Sequence, residues 1–303
     1  MLNNRIRLFG YYGGKLRFLD DLEMLVGEHE NMYEIFSGSA VFTLNHSCPG
    51  KQVLNEKNED IYCIWEVIKD DYLSKLFIEK LQNVEYSKER FLQAKNAQNN
   101  KFKNMNKVDK AIEVFVLITQ SYNSAMQFFS DNGNKDERER NRRYIERNIY
   151  NAIMVHEKMK DVEISNMDAI DFLKTIAWGK NDFIYADPPY LHGYRGKGAD
   201  KVYGWEMLDE EHEKFLEAIR DVQAKCMISG YRAKDGSAEL YDSILRKNSK
   251  WQCYLLKDIH KPNKGGERAK EYIWVNYDLP SYAKYCISME DVMKPKKKDR
   301  EIA

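Results

Sequence analysis

The sequence predicts an α/β fold: an open, largely parallel, nucleotide-binding sheet interrupted by a mostly helical insertion. Three observations carry that expectation. Short apolar runs at Met32 to Phe36, Lys51 to Leu54, Val162 to Ser165 and Phe183 to Ala186 alternate with helix-like segments. From about Ile61 to about Lys160 the pattern is helical instead, broken by polar stretches at Asn96 to Lys107 and Asp131 to Asn141. The ends of the strand-like runs carry small residues, acids and prolines, as expected where a sheet meets a ligand.

Taken in order, Tyr11-Tyr12-Gly13-Gly14-Lys15 opens the chain with a Gly-Gly pair that allows close backbone approach and a cation able to neutralise a carboxylate or phosphate. An ordinary N-terminal turn would look the same locally. Met32 to Phe36 reads as a buried strand, Ser37-Gly38-Ser39 as a tight turn, and Ala40 to Asn45 as a helix stopped by Pro49-Gly50. Lys51 to Leu54 begins a second strand ending at Asn55-Glu56-Lys57-Asn58. Strand, small-residue turn, helix, strand, acid is the order of a nucleotide-binding βαβ unit. A loop acid alone is commonly just solvated, but beside this turn Glu56 reads as an acceptor for ribose hydroxyls.

After the insertion come Val162 to Ser165 as a strand, Asp168 to Leu173 as a short helix, and the strand leading into Asp187-Pro188-Pro189-Tyr190. Ala224 to Ser229 reads as a further strand, and Trp251 to Asp258 with Glu271 to Tyr277 as a final antiparallel pair. Residues 1–60 and 161–303 therefore form one expected domain, with 61–160 as the insertion. The basic end, Lys294 to Arg300, reads as a frayed tail.

Composition narrows the function classes. Hydrophobic content of 43% supports a sizeable core, whereas Lys+Arg 48 against Asp+Glu 48 means that any nucleic-acid contact must rest on local patches. The five cysteines are odd in number, dispersed and without a C-x-x-C pair, which points away from a disulfide framework or zinc site and towards a reducing cytoplasm. Neither a secretion signal nor a run of about 18 apolar residues is visible, so no membrane span is expected.

The tetrapeptide is the most informative stretch. Consecutive prolines remove backbone donors but leave stiff carbonyl acceptors, so Asp187 and the Pro188 carbonyl suit a bound amino group. The Tyr190 ring offers a face for a heterocycle.

Together, Tyr11 to Lys15, Tyr33 to Ala40, Asn55 to Asn58 and Asp187 to Tyr190, in that order around a helical insertion, resemble the Dam-like, class D12, DNA adenine-N6 methyltransferases. Met227 to Tyr231 and Glu271 to Tyr277 also resemble family segments, so nearly the whole chain is covered. The resemblance implies a Rossmann-like methyltransferase sheet, S-adenosylmethionine as cofactor, double-stranded DNA as substrate and a helical target-recognition domain. It implies Asp187, Pro188, Pro189 and Tyr190 as catalytic, and Tyr11, Lys15, Phe36, Ser37, Gly38, Glu56, Asp168 and Asp187 around the cofactor, Asp168 facing its adenine amino group. A cognate restriction endonuclease encoded nearby is a further partner to look for. Ala40 departs from the family, many members of which have glycine there.

The N6 lone pair is delocalised into adenine. Asp187 and the Pro188 carbonyl are therefore expected to accept from the amino group and localise that lone pair, with Tyr190 stacked on a flipped base and no metal required. Tyr122, Asn123 and Gln127 fall in the region resembling the family's recognition loop, and Gln127 stands where enzymes reading GATC have arginine. Glutamine pairs with adenine and arginine with guanine, so a different target is expected. Arg138, Arg140, Arg142 and Arg143, followed by Arg147, add a basic stripe interleaved with Glu137, Glu139 and Glu146, equally compatible with DNA contact and with a solvated helix. His192 and the glycine-rich Leu191 to Gly204 read as a substrate-side loop or a plain surface loop, and Trp274 as core. Cytosine-N4 methylation and a catalytically silent DNA-binding module are the alternatives.

Overall fold

The structure, a computed structural model, describes residues 5–11, 13–131, 136–191, 207–232, 239–260 and 268–286. His192, most of the Leu191 to Gly204 segment and the basic tail lie outside the described residues.

Seven strands form one sheet: β1 (Asn31–Glu34), β2 (Gln52–Asn55), β3 (Val162–Ser165), β4 (Asp182–Ala186), β5 (Lys225–Tyr231), β6 (Gln252–His260) and β7 (Arg268–Val275). The order is β3-β2-β1-β4-β5-β7-β6. The first five strands pair in parallel, and β7 runs antiparallel between β5 and β6. This is the methyltransferase-type α/β sheet expected, with the expected antiparallel pair at its edge.

Helices α1 (Leu19–Glu23) and α2 (Val41–Asn45) flank the first strand. Between β2 and β3 lie α3 (Glu59–Lys69), α4 (Asp71–Leu81), α5 (Lys88–Asn99), α6 (Lys107–Thr119) and α7 (Glu137–Met159). Asn58, Asp70, Ser87, Asn106 and Asp136 each cap the following helix by accepting from its first-turn N–H groups, which explains why polar breaks separate the helical runs. The remaining helices are α8 (Ala169–Thr175), α9 (Asp209–Arg220), α10 (Glu239–Leu245) and α11 (Ser281–Cys286).

The two-residue period of the strands sorts their side chains between two cores. Tyr33, Ile35, Ile184, Ala186, Cys226, Ile228 and Trp274 pack with Phe172, Phe215 and Leu216 of α8 and α9 on one face. Met32, Phe183, Tyr185, Met227, Ile273 and Val275 pack with Phe18, Leu19, Leu22 and Phe42 on the other. A third cluster joins Trp65, Phe77, Phe115 and Val155 of the inserted helices to Leu8, Phe9 and Leu54. Among the described residues no helix is long and apolar enough to cross a membrane.

Candidate active site

The strand alternation that builds the second core also aims three acids at one place. Glu34 continues the Met32 face of β1, Asp187 the Phe183 and Tyr185 face of β4, and Glu271 the Ile273 and Val275 face of β7. Lys15 reaches Asp187 and Glu271 from the 3-10 turn Lys15–Phe18, anchored on that face by Phe18.

Lys15 is 4% exposed. Its Nζ donates to Asp187 Oδ1 and Oδ2 at 2.6 and 2.7 Å and to the Gly13 carbonyl at 3.2 Å. It also lies 2.5 Å from the Tyr190 hydroxyl and 3.4 Å from Glu271 Oε1. The Tyr190 hydroxyl donates to Glu271 Oε1 at 2.8 Å. Since Nζ is 4.9 Å from the Tyr190 ring centroid but much nearer the hydroxyl, it sits off the hydroxyl end and leaves the ring face uncovered on that account. The Tyr231 ring lies 4.3 Å from that of Tyr190, centroid to centroid.

Burial disfavours the Lys15 charge, yet Asp187 and Glu271 together raise its pKa. Burial pushes both carboxyls up against the pull of Lys15, and the Asp187 charge raises Glu271 further. Burial likewise pushes Glu34 up to about 7, against hydrogen bonds to its carboxylate from Thr43. Glu34 Oε2 accepts from the Thr43 N–H at 2.7 Å and the Thr43 hydroxyl at 2.5 Å, tying β1 to the start of α2.

The Ser37-Gly38-Ser39 turn is held by Glu56. Its Oε2 accepts from the Gly38 N–H at 2.7 Å and from the Ser37 hydroxyl at 3.2 Å, while Oε1 accepts from the Asn58 N–H at 2.8 Å. Burial raises the Glu56 pKa against these bonds. Ala40, at the N-cap of α2, takes left-handed φ of 50°, the conformation for which glycine is suited. The departure noted in the sequence therefore does place a strained alanine at a position with positive φ. Asp168 caps α8 through the Ile170 N–H at 2.9 Å and pairs with Lys57 at 2.8 Å, which holds its pKa down against burial.

Lys15, Glu34, Glu56, Asp168, Asp187, Tyr190 and the Ser37 to Ser39 turn line one cavity of about 480 Å³. Its lining includes Tyr11, Lys15, Phe36, Ser37, Gly38, Glu56, Asp168, Asp187, Pro188, Pro189 and Tyr190, so every expected catalytic and cofactor residue meets there. Glu34 and Glu211 also line it, giving five acids against Lys15 and Lys57. That excess suits a ligand carrying sulfonium and ammonium charges, and Phe36, Val41, Phe42 and Ile170 supply apolar surface for a flat ring. The residues present thus fit S-adenosylmethionine.

Gly38 makes the closest fit. It has φ +47°, and an added Cβ would lie 2.8 Å from the Tyr11 ring. Gly38→Ala is expected to weaken cofactor binding by roughly tenfold or more, since strain and displacement of Tyr11 act together at about 1–2 kcal/mol or above. Calorimetric titration checks this, and unchanged affinity would show that the turn does not touch the cofactor.

The expected DNA-facing residues lie elsewhere. Ser121 to Ser130 folds back on itself, with the Tyr122 N–H donating to the Phe128 carbonyl at 2.9 Å and Ser130 N–H to Gln120 at 2.8 Å. Asn123, Ser124 and Met126 have positive φ. Tyr122 and Phe128 are 55% and 78% exposed, and Asn123 and Gln127 are exposed as well. A Cβ on Gly10 would lie 3.2 Å from Ser124 Oγ, so the loop leans on the segment that leads into Tyr11.

The arginines of α7 divide into kinds. Arg142 and Arg143 pair with Glu139, and Arg142 also with Glu146. Arg140 is turned inward, its guanidinium 5.3 Å from the Tyr86 ring centroid. Among the described residues Arg138 and Arg147 form no ion pair, and Arg7 has its pKa lowered by burial and by the neighbouring Arg147 charge.

Sequence reasoning missed Glu34, Glu271 and Phe128. The signal for Glu34 was a carboxylate beside Met32 and Ile35 in a buried strand, a costly placement unless it is paired, whereas Glu271, directly after Lys270 in β7, carried no such signal. Among the described residues no group of three or more His, Cys, Asp or Glu side chains is arranged to hold a metal.

A family model described as D12 class N6 adenine-specific DNA methyltransferase matches residues 11–255. Three solved structures show similarity at low identity. A Clostridium thermocellum protein titled as a candidate rRNA-methylase has 9% identity, coverage of 86% of this chain and 94% of that one, and a TM-score of 0.36. An Agrobacterium tumefaciens SAM-dependent methyltransferase has 9% identity, coverage of 86% and 59%, and a TM-score of 0.38. A Legionella pneumophila protein has 13% identity, coverage of 92% and 91%, and a TM-score of 0.33. At such scores the fold is read from the strand order and the family match alone.

Proposed function

The chain belongs to the D12 class of N6 adenine-specific DNA methyltransferases, and from that premise we propose which residues perform the reaction. The supporting observation is that the Glu56-held turn and the Asp187 tetrapeptide line one cavity. Tyr11, Phe36, Ser37, Gly38, Glu56 and Asp168 hold S-adenosylmethionine, and Asp187 to Tyr190 receives the adenine. Bound there, S-adenosylmethionine would supply a methyl group on sulfonium, the N–C bond to adenine forming as the C–S bond gives its electron pair to sulfur.

Asp187 and the Pro188 carbonyl accept from the N6 amino group, turning its lone pair towards the methyl carbon. The amino proton lost in the reaction passes to the Asp187 carboxylate and on to solvent. Duplex stacking keeps that amino group out of reach, so the base is flipped into the site and laid against Tyr190, at a cost of about a few kcal/mol.

Residues 61–160 form the target-recognition domain, with Tyr122, Asn123 and Gln127 presented to the bases and Phe128 beside them. Gln127 reads adenine, so the target differs from GATC. Sequencing methylated DNA for modified adenines tests this: a distinct recurring context is expected, and a clean GATC pattern would contradict it.

The backbone contacts fall to Arg138, Arg147 and Arg7, which pair with no acid among the described residues, more than to Arg142 and Arg143, which do. Arg140 supports Tyr86 instead. Arg147→Ala is expected to lower the slope of log affinity against log salt by about one, and Arg142→Ala by less. Equal slopes for wild type and Arg147→Ala would remove Arg147 from the interface. A cytoplasmic site of action is supported by the free thiols of Cys48, Cys63, Cys226 and Cys253. Whether a restriction endonuclease accompanies the enzyme is tested by reading the neighbouring genes.

A further inference from the structure

Glu271 is a buried acid that recognition of an amino group by Asp187 and Pro188 does not by itself require. It is 1% exposed and stands on β7, opposite Tyr231 of β5 and Lys257 of β6 in the ladder. It is spent on Lys15 and Tyr190.

Both Asp187 oxygens accept from Lys15, at 2.6 and 2.7 Å. An amino group entering the site must therefore compete with an ammonium for its acceptor. Moving a buried ammonium away from its only carboxylate would be prohibitive. Here a second carboxylate oxygen waits 3.4 Å from Nζ, within ion-pair reach but longer than a charge-assisted hydrogen bond of about 2.7–2.9 Å. A shift of less than an ångström exchanges one partner for the other. The ammonium stays paired throughout, because its three protons face more acceptors than they can satisfy at once.

Tyr190 belongs to the same device. Its hydroxyl donates to Glu271 at 2.8 Å while lying within hydrogen-bonding reach of Asp187, so Glu271 holds the hydroxyl end of the ring, which stands beside Tyr231.

We propose that Glu271 is a positioning residue that takes Lys15 over from Asp187 as the target amino group arrives, freeing an Asp187 oxygen for N6 while clamping the Tyr190 hydroxyl. This rests on the reading that Asp187 binds the amino group. Among the described residues, the charged or titratable groups around Glu271 are Lys15, Asp187 and Tyr190, with Tyr185 and Tyr231 beside them and Glu34 beyond Asp187.

The test uses the full-length Glu271→Gln variant with S-adenosylmethionine and duplex DNA. Single-turnover methyl transfer is expected to slow by roughly ten- to a hundredfold, with cofactor and DNA dissociation constants within about threefold of wild type. Both limbs of the pH–rate profile should move to lower pH. Without the Glu271 charge Asp187 ionises more readily, moving the acid limb, and Lys15 loses its proton more readily, moving the alkaline limb.

A rate within about threefold of wild type would overturn the proposal. So would a slower rate with unmoved limbs and an equal loss of cofactor affinity, the signature of a scaffold residue. Should Glu271→Gln not fold, Glu271→Asp withdraws the carboxylate from Lys15 while keeping its charge; slowing supports the proposal and wild-type turnover overturns it. No transfer to adenine by the wild type would instead count against the Asp187 reading itself.

Discussion

Asp187→Asn lowers methyl transfer by about 10²- to 10⁴-fold, the range for loss of a positioned proton acceptor. The substitution keeps the shape but turns an acceptor-only carboxylate into an amide with its own donors. An N6 amino group would then face a competing NH₂ or a neutral oxygen, neither of which favours a localised lone pair. Cofactor affinity is expected to survive, because the Gly38 turn is held by Glu56 and not by Asp187. Lys15 also survives in place, with Glu271 as its remaining carboxylate. A duplex with 2-aminopurine at the target position should still fluoresce more strongly on binding, since flipping and chemistry use different contacts. Near-normal turnover in the variant would remove Asp187 from the reaction, and the absence of a fluorescence rise in the wild type would remove base flipping.

Lys15→Met acts on folding as well as on activity. It leaves the buried Glu271 and the part-buried Asp187 without their cation, a loss of up to about 3–5 kcal/mol at neutral pH for breaking a buried pair from one side. Denaturant unfolding reads this directly. The pH dependence has a definite sign. In the variant both carboxyls have folded-state pKa values raised by burial and mutual repulsion, so the folded state binds protons more tightly than the unfolded chain. The deficit is therefore present above the raised folded pKa values and is relieved as pH falls towards the ordinary carboxylate range. A variant as stable as wild type at neutral pH, or one that loses further stability relative to wild type on mild acidification, would contradict the paired-charge reading.

Much of this arrangement was legible in the sequence because local rules decide it. The apolar runs ending at Phe36, Leu54 and Ala186 have strand length, and turn, acid and tetrapeptide follow at their carboxyl ends, where a parallel sheet gathers ligands. Within the insertion, the polar breaks at Asn96 to Lys107 and Asp131 to Asn141 each hold the residue that caps the next helix, Asn106 and Asp136. What escaped was non-local. The antiparallel pairing of β6 with β7 can be read from alternation, but the docking of β7 onto β5, which brings Glu271 to Lys15, depends on contacts across the whole sheet. Glu34 breaks an apolar run and Glu271 follows the polar Arg268 and Lys270, and a single sequence does not tell either from a solvated acid.

The basic stripe on α7 shows the opposite difficulty. Arg140, Arg142 and Arg143 look alike in sequence, yet one stacks against Tyr86 and two pair with glutamates. Helical spacing gives the face of each side chain but not the partner it meets.

Transfer of labelled methyl from S-adenosylmethionine to duplex DNA, followed by digestion and nucleoside analysis, bears most directly on the chemistry assigned to Asp187 to Tyr190. All label is expected in N6-methyladenine. Label in cytosine, or DNA left unlabelled by a folded, cofactor-bound enzyme, would contradict it.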